Sequence, residues 1–120
     1  MRRLHEVIER LDDLIPGPNK PGLIHGDIWG GNVLWGKDRV AAFIDPAIYY
    51  ADPEIEIAFS TMFQTFSPHF YEAYNELRPL SSDFWEVRRP LYNLYPLLVH
   101  VRIYAGGYLA ELEQTLDRFL

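Results

Sequence analysis

Leu4, Val7, Ile8, Leu11, Leu14 and Ile15 recur at helical spacing, with Glu6, Glu9, Arg10, Asp12 and Asp13 between them. The pattern predicts one amphipathic helix, stopped by Pro16 and Gly17. A Pro/Gly/Asn loop over 16–22 then leads into Leu23 and Ile24 and a glycine-rich stretch ending at Asn32. Val33 to Gly36 and Val40 to Ile44 read as two strands joined by a turn at Gly36-Lys37-Asp38. With Val33, Leu34, Trp35, Val40, Phe43 and Ile44 apolar, this hairpin is expected to pack on both faces or nearly so. Asp45-Pro46 closes it, because proline cannot continue a ladder.

The rest of the chain reads as helix. Asp52-Pro53 is a start signal, an N-cap acid before proline at the first helical position. Ile55, Ala58, Phe59 and Met62 mark its expected buried face. Ser67-Pro68 repeats the signal, with Phe70, Tyr71, Tyr74 and Leu77 as the stripe and Pro79 as the stop. Ser81 or Ser82 can cap a short helix through Val87. Leu91 to Tyr104 is apolar nearly all round, which predicts a central helix, kinked or broken by Pro96. Within it His100 reads as a satisfied core histidine. Gly106-Gly107 marks a stop or a close contact. A last amphipathic helix follows over 108–120, on Leu109, Leu112, Leu116, Phe119 and Leu120. The fold class expected is mainly α with a small β-hairpin.

Composition narrows what such a chain can be. A length of 120 residues allows at most one ordinary domain, and 48% hydrophobic with 15% aromatic content is enough for a real core. The net charge of −6 argues against a general nucleic-acid binder, though Arg88-Arg89 forms a local basic pair. The chain lacks cysteine, which removes disulfides and thiolate metal sites and fits a cytoplasmic location. The start, Met1-Arg2-Arg3-Leu4-His5-Glu6, turns charged at once and does not read as a signal peptide. No apolar run is long enough to span a bilayer, so no membrane partner is expected.

The chemistry concentrates in His25-Gly26-Asp27, Asn32 and Asp45. His-x-Asp-x-x-x-x-Asn, followed by a strand pair ending in Asp, has the layout of a kinase catalytic loop and its metal-binding aspartate. Phosphoryl transfer needs a carboxylate against the attacking hydroxyl and oxygen ligands for magnesium on the phosphates. Asp27 suits the first task; Asn32 and Asp45 suit the second. His25 suits bracing the loop by hydrogen bonds. Tyr49 and Tyr50 follow the second aspartate and can stack on a sugar or simply pack. Each residue taken singly also fits an ordinary turn. A metal hydrolase using His25, Asp27 and Asp45 is a weaker reading, since no second histidine stands at ligand spacing.

His25-Gly26-Asp27-Ile28-Trp29-Gly30-Gly31-Asn32-Val33-Leu34 resembles the catalytic loop of the fructosamine (ketosamine) kinases, within the aminoglycoside-phosphotransferase-like, protein-kinase-like fold. Ile44-Asp45-Pro46-Ala47-Ile48-Tyr49-Tyr50 resembles their metal-binding segment. Phe70-Tyr71-Glu72-Ala73-Tyr74-Asn75, Arg89-Pro90-Leu91-Tyr92-Asn93-Leu94-Tyr95 and Gly106-Gly107-Tyr108 extend the likeness over nearly the whole chain. The resemblance implies an ATP- and magnesium-dependent kinase acting on the sugar hydroxyl of small ketosamines or glycated proteins. By motif position it makes Asp27 the catalytic base and Asn32 and Asp45 the magnesium ligands. It puts Trp29 near the acceptor, where a packing role is equally open. Family members often carry aspartate where this chain has Glu56, whose longer side chain can still brace the loop. The family's N-terminal nucleotide-binding lobe, with its phosphate-contacting lysine, has no counterpart, because the only lysines, Lys20 and Lys37, fall in turns. Residues 1–120 are therefore expected to form the C-terminal lobe of such a kinase. Two functional expectations follow: half of an enzyme that acts with the missing lobe, or a catalytically silent remnant serving as a folded or partner-binding module. Apolar surface bared by the missing lobe is expected to favour self-association.

Overall fold

A computed structural model describes residues 1–120. Helices make up most of the chain and carry two hydrophobic clusters, while four short strands sit at the face that holds the glycine-rich loop.

The first helix forms where expected but in two pieces, α1 (Arg2–Glu9) and α2 (Leu11–Leu14). The break is at Arg10, whose side chain donates to the Phe119 carbonyl at the far end of the chain. A tertiary contact there overrides the local periodicity. Strands β2 (Val33–Trp35) and β3 (Val40–Phe43) pair antiparallel with an irregular register at Leu34/Trp35. Packing on both faces does not occur: Val33 is buried, whereas Leu34, Trp35 and Phe43 stay exposed. A second antiparallel pair, absent from the sequence reading, joins β1 (Gly22–Ile24) to β4 (Tyr49–Ala51), with Leu23 opposite Tyr50. This pair closes the segment from Ile24 to Tyr49 into one loop.

Helix α3 (Pro53–Ser60) begins on its expected cap, the Asp52 carboxylate accepting from the Glu54 N–H at 2.9 Å. Its core hydrophobics are Ile57 and Ala58 rather than the whole expected stripe, with Pro53, Glu54 and Ser60 also buried; Ile55, Phe59 and Met62 are only half-buried. Asp52 also accepts from Tyr92 Oη at 2.7 Å and from the Asn19 N–H at 3.0 Å. Burial alone would raise its pKa. The hydrogen bonds from Glu54, Tyr92 and Asn19 outweigh burial and hold it below the usual aspartate value. A carboxyl depressed in the fold stabilises it above the unfolded pKa, and that contribution is lost as pH falls through the folded value. Stability is therefore expected to decline as pH drops below about 4. Asp52→Asn should flatten this acid limb in urea titrations run at successive pH values.

Helix α4 (Pro68–Leu77) obeys its Ser67-Pro68 start, but Leu77 is almost fully exposed. Residues Phe84–Arg88 form a π-helical turn instead of an ordinary helix. The long apolar segment divides into α5 (Arg89–Tyr92) and α6 (Leu94–Tyr104), with the break at Asn93. Proline disturbs the turn before it: the Pro96 ring opposes the carbonyl four residues back, which is Tyr92, the end of α5. The central position expected for α6 is not found. Leu94 and Leu97 are buried, but Tyr95, Ile103 and Tyr104 are largely exposed. Gly106, with φ +66°, starts α7 (Gly107–Arg118). Leu112, Leu116 and Phe119 are buried against Val7, Leu91, Leu94 and Leu97, while Leu109 and Leu120 remain exposed. The expected basic pair also dissolves. Arg88 is buried in an ion pair with Asp83 at 2.7 Å, and Arg89 lies over the Trp85 ring.

Candidate active site

The segment between β1 and α3 holds itself in shape through its own polar atoms. The Asp27 N–H donates to His25 Nδ1 at 3.1 Å, so the ring carries its proton on Nε2, which donates to the Ile44 carbonyl at 2.7 Å. Both ring nitrogens of His25 are thus spent on backbone, one of them one residue before Asp45. That leaves His25 no lone pair for a metal and removes the hydrolase reading. The Ala47 N–H donates to the His25 carbonyl and the Ile44 N–H to the Asn32 carbonyl, so both aspartate segments are tied to one strip of chain. Glu56 reaches in from α3 and accepts the Gly26 N–H at 2.9 Å.

Gly26 has φ +90°, and a Cβ placed on it would lie 2.1 Å from the Ala47 carbonyl oxygen. Only glycine lets the two strips approach this closely. Gly26→Ala is expected to cost about 1–3 kcal/mol through that clash and to release the Glu56 contact, measurable as a lower urea midpoint and faster amide exchange at Gly26 and Asp27. Gly31 plays a comparable role toward Trp29, whose ring occupies the space a Cβ would take, 2.3 Å from Cζ2.

Asp27 and Asn32 meet directly. Asn32 is 6% exposed, and its Nδ2 donates both to the Asp27 carbonyl and to Asp27 Oδ2, each at 2.9 Å. This fixes the amide with its nitrogen on Asp27, leaving its oxygen without a protein partner. Asp45 stands exposed at a left-handed backbone (φ +49°), a conformation that aspartate adopts more readily than most residues. Asn32 Oδ1 and the Asp45 carboxylate are hard oxygen donors, the kind magnesium takes. No group of three or more His, Cys, Asp or Glu able to hold a metal occurs in the chain. A two-ligand set suits an ion that keeps waters and leans on substrate phosphates.

Two cavities meet at Asp27, Phe59 and His100. One, of about 740 Å³, runs past Tyr49, Glu56, Ile55, Tyr95 and Val99. The other, of about 570 Å³, runs past Trp29, Gly30, Gly31, Phe63, Tyr104 and Tyr108. Of the two tyrosines after Asp45, Tyr49 lines the first of these cavities, whereas Tyr50, its neighbour on β4, lines neither and is 73% exposed. Burial first, then the Glu56 carboxylate and Tyr95, raise the Tyr49 pKa, so its hydroxyl remains a donor at neutral pH. His100 is not a core residue. Its Nδ1 lies 2.7 Å from the Pro96 carbonyl, and its ring packs against Phe63 and Tyr108 on the wall shared by both cavities. The sequence reading missed His100, Phe63, Tyr95 and Tyr108 as site residues. The available signal was the four-residue step from His100 to Tyr104, which sets two aromatic rings on one face of α6, with Tyr108 following just past the break at Gly106.

A family model described as fructosamine kinase matches residues 1–120. A probable ketoamine kinase of Enterococcus faecium is 38% identical over 109 residues, covering 91% of this chain and 39% of the relative. The probable ketoamine kinase YniA of Escherichia coli K12 is 41% identical over 101 residues, 84% of this chain and 35% of that protein. A crystal structure of a "putative fructosamine-3-kinase" from Thermobifida fusca superposes with a TM-score of 0.82 at 37% identity. It is matched over 98% of this chain and 40% of its own. The chain thus spans somewhat over a third of the length of the relatives it matches. No helix is long and apolar enough to cross a membrane.

Proposed function

The chain belongs to the fructosamine kinase family, and from that premise we propose that it is the acceptor-binding, catalytic-loop lobe of an ATP-dependent ketosamine kinase. The observation that carries this reading is the Asp27–Asn32 pair, held together at 2.9 Å where two cavities converge. A sugar hydroxyl in that junction meets the Asp27 carboxylate, which orients it and takes its proton as the phosphoryl group arrives. Asn32 holds Asp27 through two hydrogen bonds, and Tyr49 offers a neutral hydroxyl to the acceptor from the wall of the cavity on the other side of the junction. His25 and Glu56 keep the loop backbone fixed while this happens. Magnesium, held by Asn32 and Asp45 with the nucleotide phosphates, would supply neutralisation of phosphate charge.

Nucleotide binding on this reading requires a second lobe, with a cation on the phosphates that Lys20 and Lys37, exposed in the turns on either side of the loop and lining neither cavity, do not supply. Residues 1–120 alone are therefore expected to show no ketosamine-dependent ATP consumption. The same chain joined to the remaining portion of the Escherichia coli relative should show it. A coupled assay with a fructosyl-amine acceptor reads both. Turnover by residues 1–120 alone would refute the need for a second lobe.

A further inference from the structure

We propose that the cavity beside Tyr49 is a subsite for an apolar, carboxylate-free amine portion of the acceptor, so that the preferred ketosamines derive from simple amines rather than from free α-amino acids. This rests on the ketosamine reading above and adds which ketosamine. A ketosamine has two parts joined by an amine, and the site has two cavities joined at Asp27, Phe59 and His100. The cavity beside Trp29 offers an indole, two glycines and two tyrosines, which suits the flat faces and hydroxyls of a sugar. The cavity beside Tyr49 is different. Ile55, Phe59, Tyr95 and Val99 make its walls, and eight of its thirteen lining residues are hydrophobic.

Charge sharpens the assignment. The charged side chains lining the two cavities are Asp27 and Glu56, both carboxylates, and neither cavity is lined by lysine or arginine. A protonated secondary amine at the junction is attracted by both acids. A carboxylate carried on the same amine, as in an amino-acid conjugate, is repelled by both and meets no cation. Leaving it desolvated without a partner is costly.

Titration of the chain with three 1-deoxyfructosyl conjugates, of methylamine, phenethylamine and phenylalanine, followed by NMR, tests this. The phenethylamine conjugate is expected to bind at least tenfold more tightly than the methylamine conjugate, which lacks the apolar group, and than the phenylalanine conjugate, which adds only a carboxylate. Its largest shifts should fall on Ile55 and Val99. Val99→Lys lies on an exposed turn of α6 and should keep the fold. It should weaken the phenethylamine conjugate and strengthen the phenylalanine conjugate. Equal affinity for the methylamine and phenethylamine conjugates, or for the phenethylamine and phenylalanine conjugates, would overturn the subsite. So would a Val99→Lys chain with unaltered preferences. Absence of binding by all three would instead remove the ketosamine reading on which the subsite rests.

Discussion

Asp27→Asn is expected to lower ketosamine phosphorylation by about 10²–10⁴-fold, the range that a positioned general base commonly supplies, in the chain joined to a nucleotide-binding lobe. The replacement is close to isosteric, and an asparagine oxygen can still accept from Asn32 Nδ2. The main-chain carbonyl of residue 27 keeps its own bond from the same nitrogen. The loop is also held by contacts that residue 27 does not make through its side chain: His25 to Ile44, Glu56 to Gly26, and Ala47 to His25. The urea midpoint should therefore stay at its wild-type value and nucleotide affinity should be retained. What is lost is the carboxylate that accepts the proton. A variant with wild-type turnover would move the base elsewhere. A variant that loses activity and stability together would mean that Asp27 matters mainly as scaffold.

Phe84→Ala is the change expected to damage the fold most, by about 3–5 kcal/mol. Phe84 is fully buried and joins Ile57 and Ala58 of α3 to the π-helical turn, with Phe70, Tyr71, Tyr74, Leu80 and Tyr92 packed around it. Removing the ring leaves a cavity among elements fixed by other contacts: α3 by its Asp52 cap and α5 by the Tyr92–Asp52 bond. Collapse into the cavity is therefore limited, which puts the cost at the high end for such truncations. A domain of this size has about 5–15 kcal/mol in total, so the variant should approach half-unfolding in mild urea. Because α3 also carries Glu56, amide exchange at Gly26 should accelerate in the same variant. A loss under about 1 kcal/mol would show that this cluster repacks freely.

The parts of the fold legible in sequence are those decided by local chemistry. Asp52-Pro53 and Ser67-Pro68 start helices because an extended cap residue and a pre-set proline φ act within a few residues. The glycine-rich loop is legible as chemistry because Asp27 and Asn32 are close enough in sequence for one turn to bring them together. What stayed hidden depends on partners far along the chain. The β1–β4 ladder joins three-residue strands separated by a long loop, too short for alternation to register. The break at Asn93 lies a turn before the proline that causes it. An apolar run such as Leu91 to Tyr104 cannot say which side meets the core and which meets a cavity. His100 was therefore read as core, and the helix that carries Tyr95 and Val99 as central, when all three line the site. Tyr49 and Tyr50 look alike in sequence, and only the strand's alternation separates the cavity residue from the exposed one.

The central claim, phosphoryl transfer to a ketosamine hydroxyl governed by Asp27, is tested most directly by the fate of the acceptor. A fructosyl-amine incubated with magnesium-ATP and the chain joined to a nucleotide-binding lobe is analysed by mass spectrometry and ³¹P NMR. The account predicts an acceptor carrying one phosphoryl group as a sugar phosphate ester, formed by the wild-type protein and essentially not by Asp27→Asn. Nucleotide consumed with the acceptor unmodified, or the same ester formed at equal rate by the Asp27→Asn protein, would contradict it.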